Sequence, residues 1–333
     1  MRALVTGATG FVGSNLVELL LAEGWQVRVL RRPTSSSAGL AGLAVEAWEG
    51  DVTDPASLRP AMQGCDAVFH AAGVVADYWR QELDRLYRVN VEGTRHVVQA
   101  ALAAGVPRLV FTSSLAAMGF PADAEPVDEA HPFNIPPSAY PYGHSKHLAE
   151  QEVQAAVAQG LHAVIVNPSV VLGPRDVYGQ NSRIVLEVAR GRVPWVPPGG
   201  ANVVDVRDVA RGHLLAWARG RPGQRYLLAG HNVTHLALTR QIAALLGVPG
   251  PRGVVPPTLI GPLARLLDAG NRVRSLPVSG DVLRMGARFF YADNRKAVTE
   301  LGFTVTPLEA TLRAAIQWLR AAGRLPPLTS RPA

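Results

Sequence analysis

Tyr142 and Lys146 stand four residues apart in Tyr142-Gly143-His144-Ser145-Lys146, where helical patterning begins. Spacing of this kind puts both side chains on one helix face, with Cβ atoms about 5 to 6 Å apart. A tyrosine phenol titrates near ~10 and is a poor proton shuttle at neutral pH unless a neighbouring cation favours the phenolate. Lys146 can be that cation. It and Lys296 are the only lysines among 33 basic residues, so arginine is the default cation of this chain. The plainer alternative is that Lys146 pairs with Glu150 one turn later and Tyr142 packs, a role arginine would fill equally well. Upstream, the apolar run Leu109 to Thr112 ends in Thr112-Ser113-Ser114. At the C-terminal edge of a parallel sheet either serine could hydrogen-bond a substrate carbonyl, or simply cap the strand end.

A second chemistry is written at the N-terminus. Gly7-Ala8-Thr9-Gly10-Phe11-Val12-Gly13 follows the apolar run Arg2 to Thr6 and opens a helical pattern over Phe11 to Ala22. Glycines there allow a tight turn and close approach to a pyrophosphate, whose charge rests on the free N–H groups of the helix N-terminus. NAD-selective sites carry an acid about 20 residues on, at the end of the second strand. Here the run Gln26 to Leu30 ends in Arg31-Arg32, two guanidiniums suited to a 2′-phosphate. NADP(H) is therefore the preferred cofactor, with NAD(H) as the alternative; a solvated basic loop is the bland reading of the same pair. Asp51, in Gly50-Asp51-Val52, is placed to accept from an adenine amino group or to cap its own turn. His70-Ala71-Ala72-Gly73 ends another strand with small residues that let backbone pass close to a ribose; His70 itself reads as a packed histidine.

These residues need a scaffold of alternating strands and helices. Strands are predicted at Arg2 to Thr6, Gln26 to Leu30, Ala44 to Trp48, Ala67 to His70, Leu109 to Thr112 and Ala163 to Val166. Helices are predicted at Phe11 to Ala22, Pro55 to Met62 behind an Asp54 cap, about Glu82 to Ala104, and Ser145 to Ala158. Right-handed βαβ crossovers then give an α/β fold, a doubly wound parallel sheet covered on both faces. Beyond Asn167 the pattern loosens into Pro194 to Gly200 and Pro249 to Pro257, separated by helical stretches near Val204 to Trp217 and Leu238 to Leu246 and followed by a last helix at Leu308 to Arg320. This half reads as a smaller substrate domain, and residues from about Pro326 as a flexible tail.

The 333 residues, 48% hydrophobic and 18% charged, exclude a disordered chain. Cys65 is the single cysteine, so no internal disulfide or cysteine metal cluster forms, and a reducing, cytoplasmic setting is expected. Net charge is +7, but the arginines are scattered, so no nucleic-acid role is expected; the absence of any ~20-residue apolar window predicts no membrane span. Gly143 to His147 resembles a nucleophile elbow but has histidine where the closing glycine belongs, and His144 and His147 lack a third ligand, so no metal site is expected.

Taken together, the chain resembles the extended short-chain dehydrogenase/reductases, with a Rossmann-type sheet. The match runs through GATGFVG at 7 to 13, GDVTD at 50 to 54, HAAG at 70 to 73, NVEGT at 90 to 94, TSS at 112 to 114, YGHSK at 142 to 146, NPSVVLGP at 167 to 174 and VVDVRDVARGH at 203 to 213. Within that family it is most similar to the dihydroflavonol 4-reductase-like group, including members labelled hopanoid-associated sugar epimerases. The resemblance implies Ser114, Tyr142 and Lys146 as a catalytic triad, with Asn90 supporting them from the long helix. It implies cofactor contacts from Gly7, Thr9, Gly10, Phe11, Val12, Gly13, Arg31, Arg32, Asp51, Val52, His70, Ala71, Ala72, Thr112, Tyr142, Lys146, Pro168 and Ser169. It also implies a discontinuous division: a nucleotide domain of 1–167 plus about 202–230, a substrate domain of about 168–201 plus 231–325, and a homodimer paired through the helices near 82–104 and 145–158. Leu115-Ala116 follow Ser114 where dehydratases of the superfamily carry Asp-Glu, so dehydration is not expected. The expected activity is NADPH-dependent reduction of a small-molecule carbonyl, with epimerisation of a sugar nucleotide on tightly held NAD as the second reading and a non-catalytic NADP sensor as the third.

Overall fold

The computed structural model describes residues 1–75, 83–121, 123–273 and 279–325. Strands β1 (Arg2–Thr6), β2 (Gln26–Arg31), β3 (Glu46–Glu49), β4 (Ala67–His70), β5 (Arg108–Thr112) and β6 (Ala163–Pro168) lie in one parallel sheet. A seventh strand, β10 (Arg225–Leu228), joins it alongside β6, giving the order β10-β6-β5-β4-β1-β2-β3. The chain winds outward from β1 to β3, returns to the middle as β4, and winds the other way. Topology of this kind opens a crevice at the C-terminal ends of β1 and β4, where the two directions part.

Burial on both faces explains the runs of branched residues in these strands: all of Ala163–Pro168 is buried. One face is covered by α1 (Phe11–Ala22) and α7 (Val206–Arg219), which pack on each other through Leu16, Val17, Leu20, Val209 and Ala210. The other carries α2 (Pro55–Met62), α4 (Gly93–Ala104) and α5 (Pro141–Ala158), with Leu58, Val97, Val98 and Val153 against the sheet. Asp54 caps α2 by accepting from Ala56 N at 3.1 Å, and Pro141 starts α5 in the first turn, where its missing N–H costs nothing.

A smaller sheet is built from β7 (Val170–Leu172), β9 (Gly200–Asp205), β11 (His231–Thr234) and β13 (Phe289–Phe290), in which β9 pairs with the other three. Its core joins Leu172 and Val203 to residues of α6 (Arg183–Ala189), α8 (His235–Leu246) and α11 (Leu308–Ala321). β8 (Trp195–Val196) pairs with β12 (Gly253–Val254), and α9 (Pro257–Val273) and α10 (Gly280–Gly286) complete this half.

Several expectations shift. The third strand lies at Glu46–Glu49 rather than Ala44 to Trp48, paired along Arg28 to Arg31 of β2. Val204 belongs to β9, and α7 begins only at Val206, because Asp205 turns the chain and caps it by accepting from Arg207 N at 2.8 Å. The helix predicted over Glu82 to Ala104 is broken into α3 (Leu83–Tyr87), a π-helical turn at Arg88–Glu92, and α4; Glu82 lies outside the described residues. The tail expected from Pro326 also lies outside them. Among the described residues no helix is long and apolar enough to cross a membrane.

Two histidines are buried near the crevice, one in β4 and one on α7. His70 bridges Thr6 Oγ1 (2.7 Å) and Thr94 Oγ1 (3.1 Å), while His213 bridges Thr112 Oγ1 (2.7 Å) and the Val209 carbonyl (2.7 Å). Burial, with a smaller push from Lys146, lowers His70 to about 3; burial, partly offset by the Val209 carbonyl, lowers His213 to about 4. Both stay neutral when folded, whereas the unfolded chain takes up protons below about pH 6.5, so stability is full above that value and falls with pH at about 1.4 kcal/mol per unit for each histidine. Calorimetric melting of wild type and His213→Gln between pH 7 and 5 is expected to show a shallower acid slope in the variant. Parallel slopes would mean that His213 does not contribute.

Candidate active site

At the end of β1 the chain turns through Gly7 at φ 69°, a backbone that favours glycine. A Cβ at Gly7 would lie 2.5 Å from the Ala71 and Ala72 backbone, and one at Gly13 would lie 2.1 Å from the Gly7 carbonyl oxygen. The loop is thus pressed between β4 and its own helix. Gly10 caps α1 with no side-chain acceptor, and no acid stands in the first turn. The unclaimed N–H groups and positive dipole end of α1 face a cleft of about 750 Å³ that Gly7, Thr9, Gly10, Phe11, Val12 and Gly13 help to line. A shaped backbone cradle with no competing carboxylate fits a dinucleotide pyrophosphate.

The same cleft is walled by Arg31, Arg32, Asp51 and Val52 at one end, Ala71, Ala72 and Thr112 in the middle, and Ser114, Tyr142, Lys146, Pro168 and Ser169 at the other. Arg31 closes β2, and Arg32, with about half its side chain exposed, reaches Ser35 Oγ at 3.4 Å. Asp51 is committed to its own loop: one carboxylate oxygen accepts from Thr53 N and Thr53 Oγ1, both at 2.9 Å, and the other lies 4.0 Å from Arg32 Nε. Its reach toward an adenine is therefore set by a turn it also holds together.

Lys146 is 5% exposed. Its Nζ donates to the Thr112 carbonyl at 2.9 Å and stands 5.2 Å from the centre of the Phe111 ring. Burial pushes its pKa down to about 8, against the pull of Glu150 one turn on. The plainer alternative, a simple pairing of Lys146 with Glu150, is not what the structure contains, since Glu150 is ion-paired to Arg225 (2.7 Å) and hydrogen-bonded by Ser113 and Asn167. Tyr142 is buried in the same wall; burial raises its pKa, and the neighbouring Ser114 side chain offsets part of that rise. Ser114, extended at the end of β5, caps a short 3₁₀ turn by accepting from Ala116 N at 3.2 Å. Two hydroxyls and one ammonium thus converge on one wall, an arrangement that can orient a carbonyl oxygen and pass it a proton.

Two expected site residues do not reach the cleft. His70 is fully buried between Thr6 and Thr94, because a neutral imidazole fills the gap that two threonine hydroxyls leave beneath the crevice floor. Asn90, in the π-helical turn, is 1% exposed; its amide accepts from Val74 N (2.8 Å) and donates to the Val74 carbonyl and to Ser145 Oγ (both 3.0 Å). It ties the segment after β4 to α5 and acts behind the wall. A wider turn places that amide where a regular helix would not.

Sequence reasoning overlooked the far rim. After β7 the loop 173–182 brings Asp176, Tyr178, Gln180 and Asn181 to the cleft. Asn15 Nδ2 donates to the Pro174 carbonyl at 3.1 Å, Arg175 at φ 70° reaches Glu18 (2.7 Å) and the Gly39 carbonyl (3.1 Å), and Arg324 donates to the Val177 carbonyl at 2.6 Å. Residues from three distant stretches hold this loop, so no local periodicity announces it. Gly173-Pro174 was the only signal, and it marks a turn without specifying the shape of the loop beyond it.

With this geometry in hand, the chain matches the family described as NAD dependent epimerase/dehydratase over residues 3–229. A protein provisionally named dihydroflavonol 4-reductase, from Synechocystis sp., is 38% identical over 328 residues, covering 96% of this chain and 94% of that protein. Sterol demethylase protein B of Methylococcus capsulatus is 36% identical over 341 residues, 98% of this chain and 100% of that one. Among solved structures, one described as a nucleoside-diphosphate-sugar epimerase from Pseudomonas aeruginosa has a TM-score of 0.82 at 31% identity, over 98% of this chain and 99% of that chain.

The cradle gives a direct test. Gly13→Ala forces a methyl into the Gly7 carbonyl, and overpacking of this kind costs about 1 to 3 kcal/mol. The variant is expected to melt lower and to lose dinucleotide affinity by tenfold or more in fluorescence titration. Wild-type affinity in a folded variant would show that the loop is not the pyrophosphate seat.

Proposed function

Because the chain belongs to the NAD-dependent epimerase/dehydratase family, and so is an NAD(P)-dependent oxidoreductase, we propose that it is an NADPH-dependent reductase of aldehyde or ketone carbonyls. The observation that carries this reading is the placing of Ser114, Tyr142 and Lys146 together in the lining of the cleft that the glycine loop opens. A nicotinamide dinucleotide bound there supplies the hydride.

The protein's own residues do the rest. Gly7 to Gly13 and the N-terminus of α1 hold the pyrophosphate, with Thr9, Phe11 and Val12 shaping the seat; Arg31 and Arg32 take a 2′-phosphate; Asp51 and Val52 border the adenine; and Ala71, Ala72, Thr112, Pro168 and Ser169 line the path to the reacting end. Ser114 donates to the carbonyl oxygen and holds it against Tyr142. The Tyr142 hydroxyl gives its proton to that oxygen, and the adjacent Lys146 ammonium stabilises the phenolate left behind. Asn90 keeps Ser145 and the segment after β4 in place. Val75, Val89 and Tyr178 make the substrate end partly apolar, while Gln180 and Asn181 add amide donors and acceptors, a lining suited to a carbonyl compound with both characters. A homodimer paired through α4 and α5, working in the cytoplasm, belongs to the same proposal.

The Pseudomonas aeruginosa structure supports a second reading, epimerisation of a sugar nucleotide. An epimerase keeps its cofactor through oxidation and re-reduction, whereas a reductase exchanges it each turnover. Paired arginines in place of an NAD-selective acid favour exchange.

Tyr142→Phe removes only the proton donor, so turnover of NADPH with a reactive aldehyde is expected to fall by about 10²-fold or more while cofactor affinity stays within about threefold. A variant keeping more than about a tenth of kcat would refute the assignment. Purified wild type carrying stoichiometric NAD⁺ and interconverting sugar-nucleotide epimers, without consuming NADPH, would instead establish the second reading.

Replacing Arg31 and Arg32 together by alanine is expected to weaken NADPH binding about tenfold more than NADH binding. Charge-assisted contacts are worth ~1.5 to 3 kcal/mol when desolvated, and the half-exposed Arg32 places this pair at the lower end. Equal losses for both cofactors in parallel titrations would remove the 2′-phosphate role.

A further inference from the structure

One turn beyond Lys146 the structure buries a carboxylate that proton delivery from Tyr142 does not use. Glu150 is 1% exposed. Its Oε1 accepts from Ser113 Oγ at 2.5 Å and from Asn167 Nδ2 at 2.6 Å, and its Oε2 lies 2.7 Å from Arg225 Nε. Asn167 Nδ2 also donates to the Ser114 carbonyl at 3.0 Å. One side chain on α5 thus joins the ends of β5 and β6 and the start of β10, three neighbouring strands, just behind the hydroxyl wall. Burying an ion pair is costly, and the cost is hard to justify for mere packing, since apolar residues of similar volume fill such places as well or better.

We propose that Glu150, held by Arg225, is a positioning residue for the reaction, fixing the Ser114 strand end against the Tyr142 helix and supplying the negative charge that keeps Lys146 an ammonium in the interior. The proposal rests on Tyr142 as proton donor and Lys146 as its cation. Two features of the geometry support it. The Ser113 and Asn167 bonds converge on one oxygen, so the backbone that presents Ser114 is anchored to the helix that presents Tyr142. Burial pushes the Glu150 carboxyl up, and the groups that face it pull it back toward the charged form: Arg225 from β10, Ser113 from β5, Asn167 from β6 and Lys146 on its own helix, while Arg225 in turn is faced by His147 of α5 and by the Glu129 carbonyl at 3.5 Å. On the far side of β5, His213 of α7 bonds Thr112 and remains neutral.

Glu150→Gln separates charge from scaffolding, because the amide oxygen still accepts from Ser113 and Asn167 but no longer offsets the burial of Lys146. In kcat/KM profiles for NADPH-dependent reduction, wild type is expected to hold its activity up to about pH 8, where Lys146 loses its proton. In E150Q the alkaline limb is expected to move down by about one pH unit, so that the ratio of kcat/KM at pH 6.5 to that at pH 8.5 rises about sixfold. A loss that is uniform across pH, with the limb unmoved, would mean that Glu150 is only a strut, and overturns the proposal. Should E150Q fail to fold with Arg225 left unpaired, E150Q/R225M removes both charges, and a smaller displacement of the limb in the same direction is expected, because Lys146 loses the attraction of Glu150 together with the weaker repulsion of Arg225. Active Y142F would take down the reading on which the proposal rests; inactive Y142F with an unmoved limb in E150Q or the double variant would take down the role of Glu150 alone.

Discussion

The Lys146 ammonium is almost wholly out of water, and an interior charge is tolerated only where oriented dipoles and opposite charge replace its hydration. The Thr112 carbonyl accepts from it directly, and the Phe111 ring offers its electron-rich side at 5.2 Å. Both belong to β5, so the ammonium fastens α5 to the strand that ends in Ser114. Even Gly73 fits this constraint: a Cβ there would lie 3.1 Å from Nζ, so the chain leaving β4 stays bare where it passes the cation. Moving the charge would loosen strand, helix and loop together.

The crevice itself follows from winding direction. β1 and β4 are neighbours in space but are separated by two strands in sequence, and the loops that leave them diverge. Gly7 and Ala71 therefore come close enough for backbone to touch backbone. The first loop frames the N-terminus of α1, and the second runs toward Lys146. Both ends of the cleft are thus set by two adjacent strand ends.

Much of this was legible in the sequence where local rules are strong. Arg2–Thr6, Phe11–Ala22, Pro55–Met62 and Ala67–His70 have the expected bounds, because apolar runs, a glycine loop and the Asp54-Pro55 cap act over a few residues. Tyr142 and Lys146 were readable as a pair since helical spacing fixes their common face. The π-helical turn at Asn90 was not, because it answers to Val74 and Ser145, which come from elsewhere in the chain. Nor were β7, β9, β11 and β13, which are two to six residues long and have no amphipathic period of their own to read. The loop 173–182 escaped for the same reason: its shape is imposed by Asn15, Glu18 and Arg324.

The late return of the chain to the large sheet has a bearing on how the protein is made. α7 and β10 lie at Val206–Arg219 and Arg225–Leu228, well after the other six strands, yet α7 covers α1 and β10 closes the edge beside β6. Until those residues leave the ribosome, Leu16, Val17 and Leu20 have no α7 to cover them, and β6 is an open, apolar edge. At about 5 to 20 residues per second, more than a hundred residues separate the emergence of β4 from that of β10, a delay of roughly ten seconds or more. Throughout it the nascent sheet presents the kind of surface that chaperones bind and that other unfinished chains can pair with. Completion of the large sheet is therefore a late event in translation, although the glycine loop at 7–13 is made well before it.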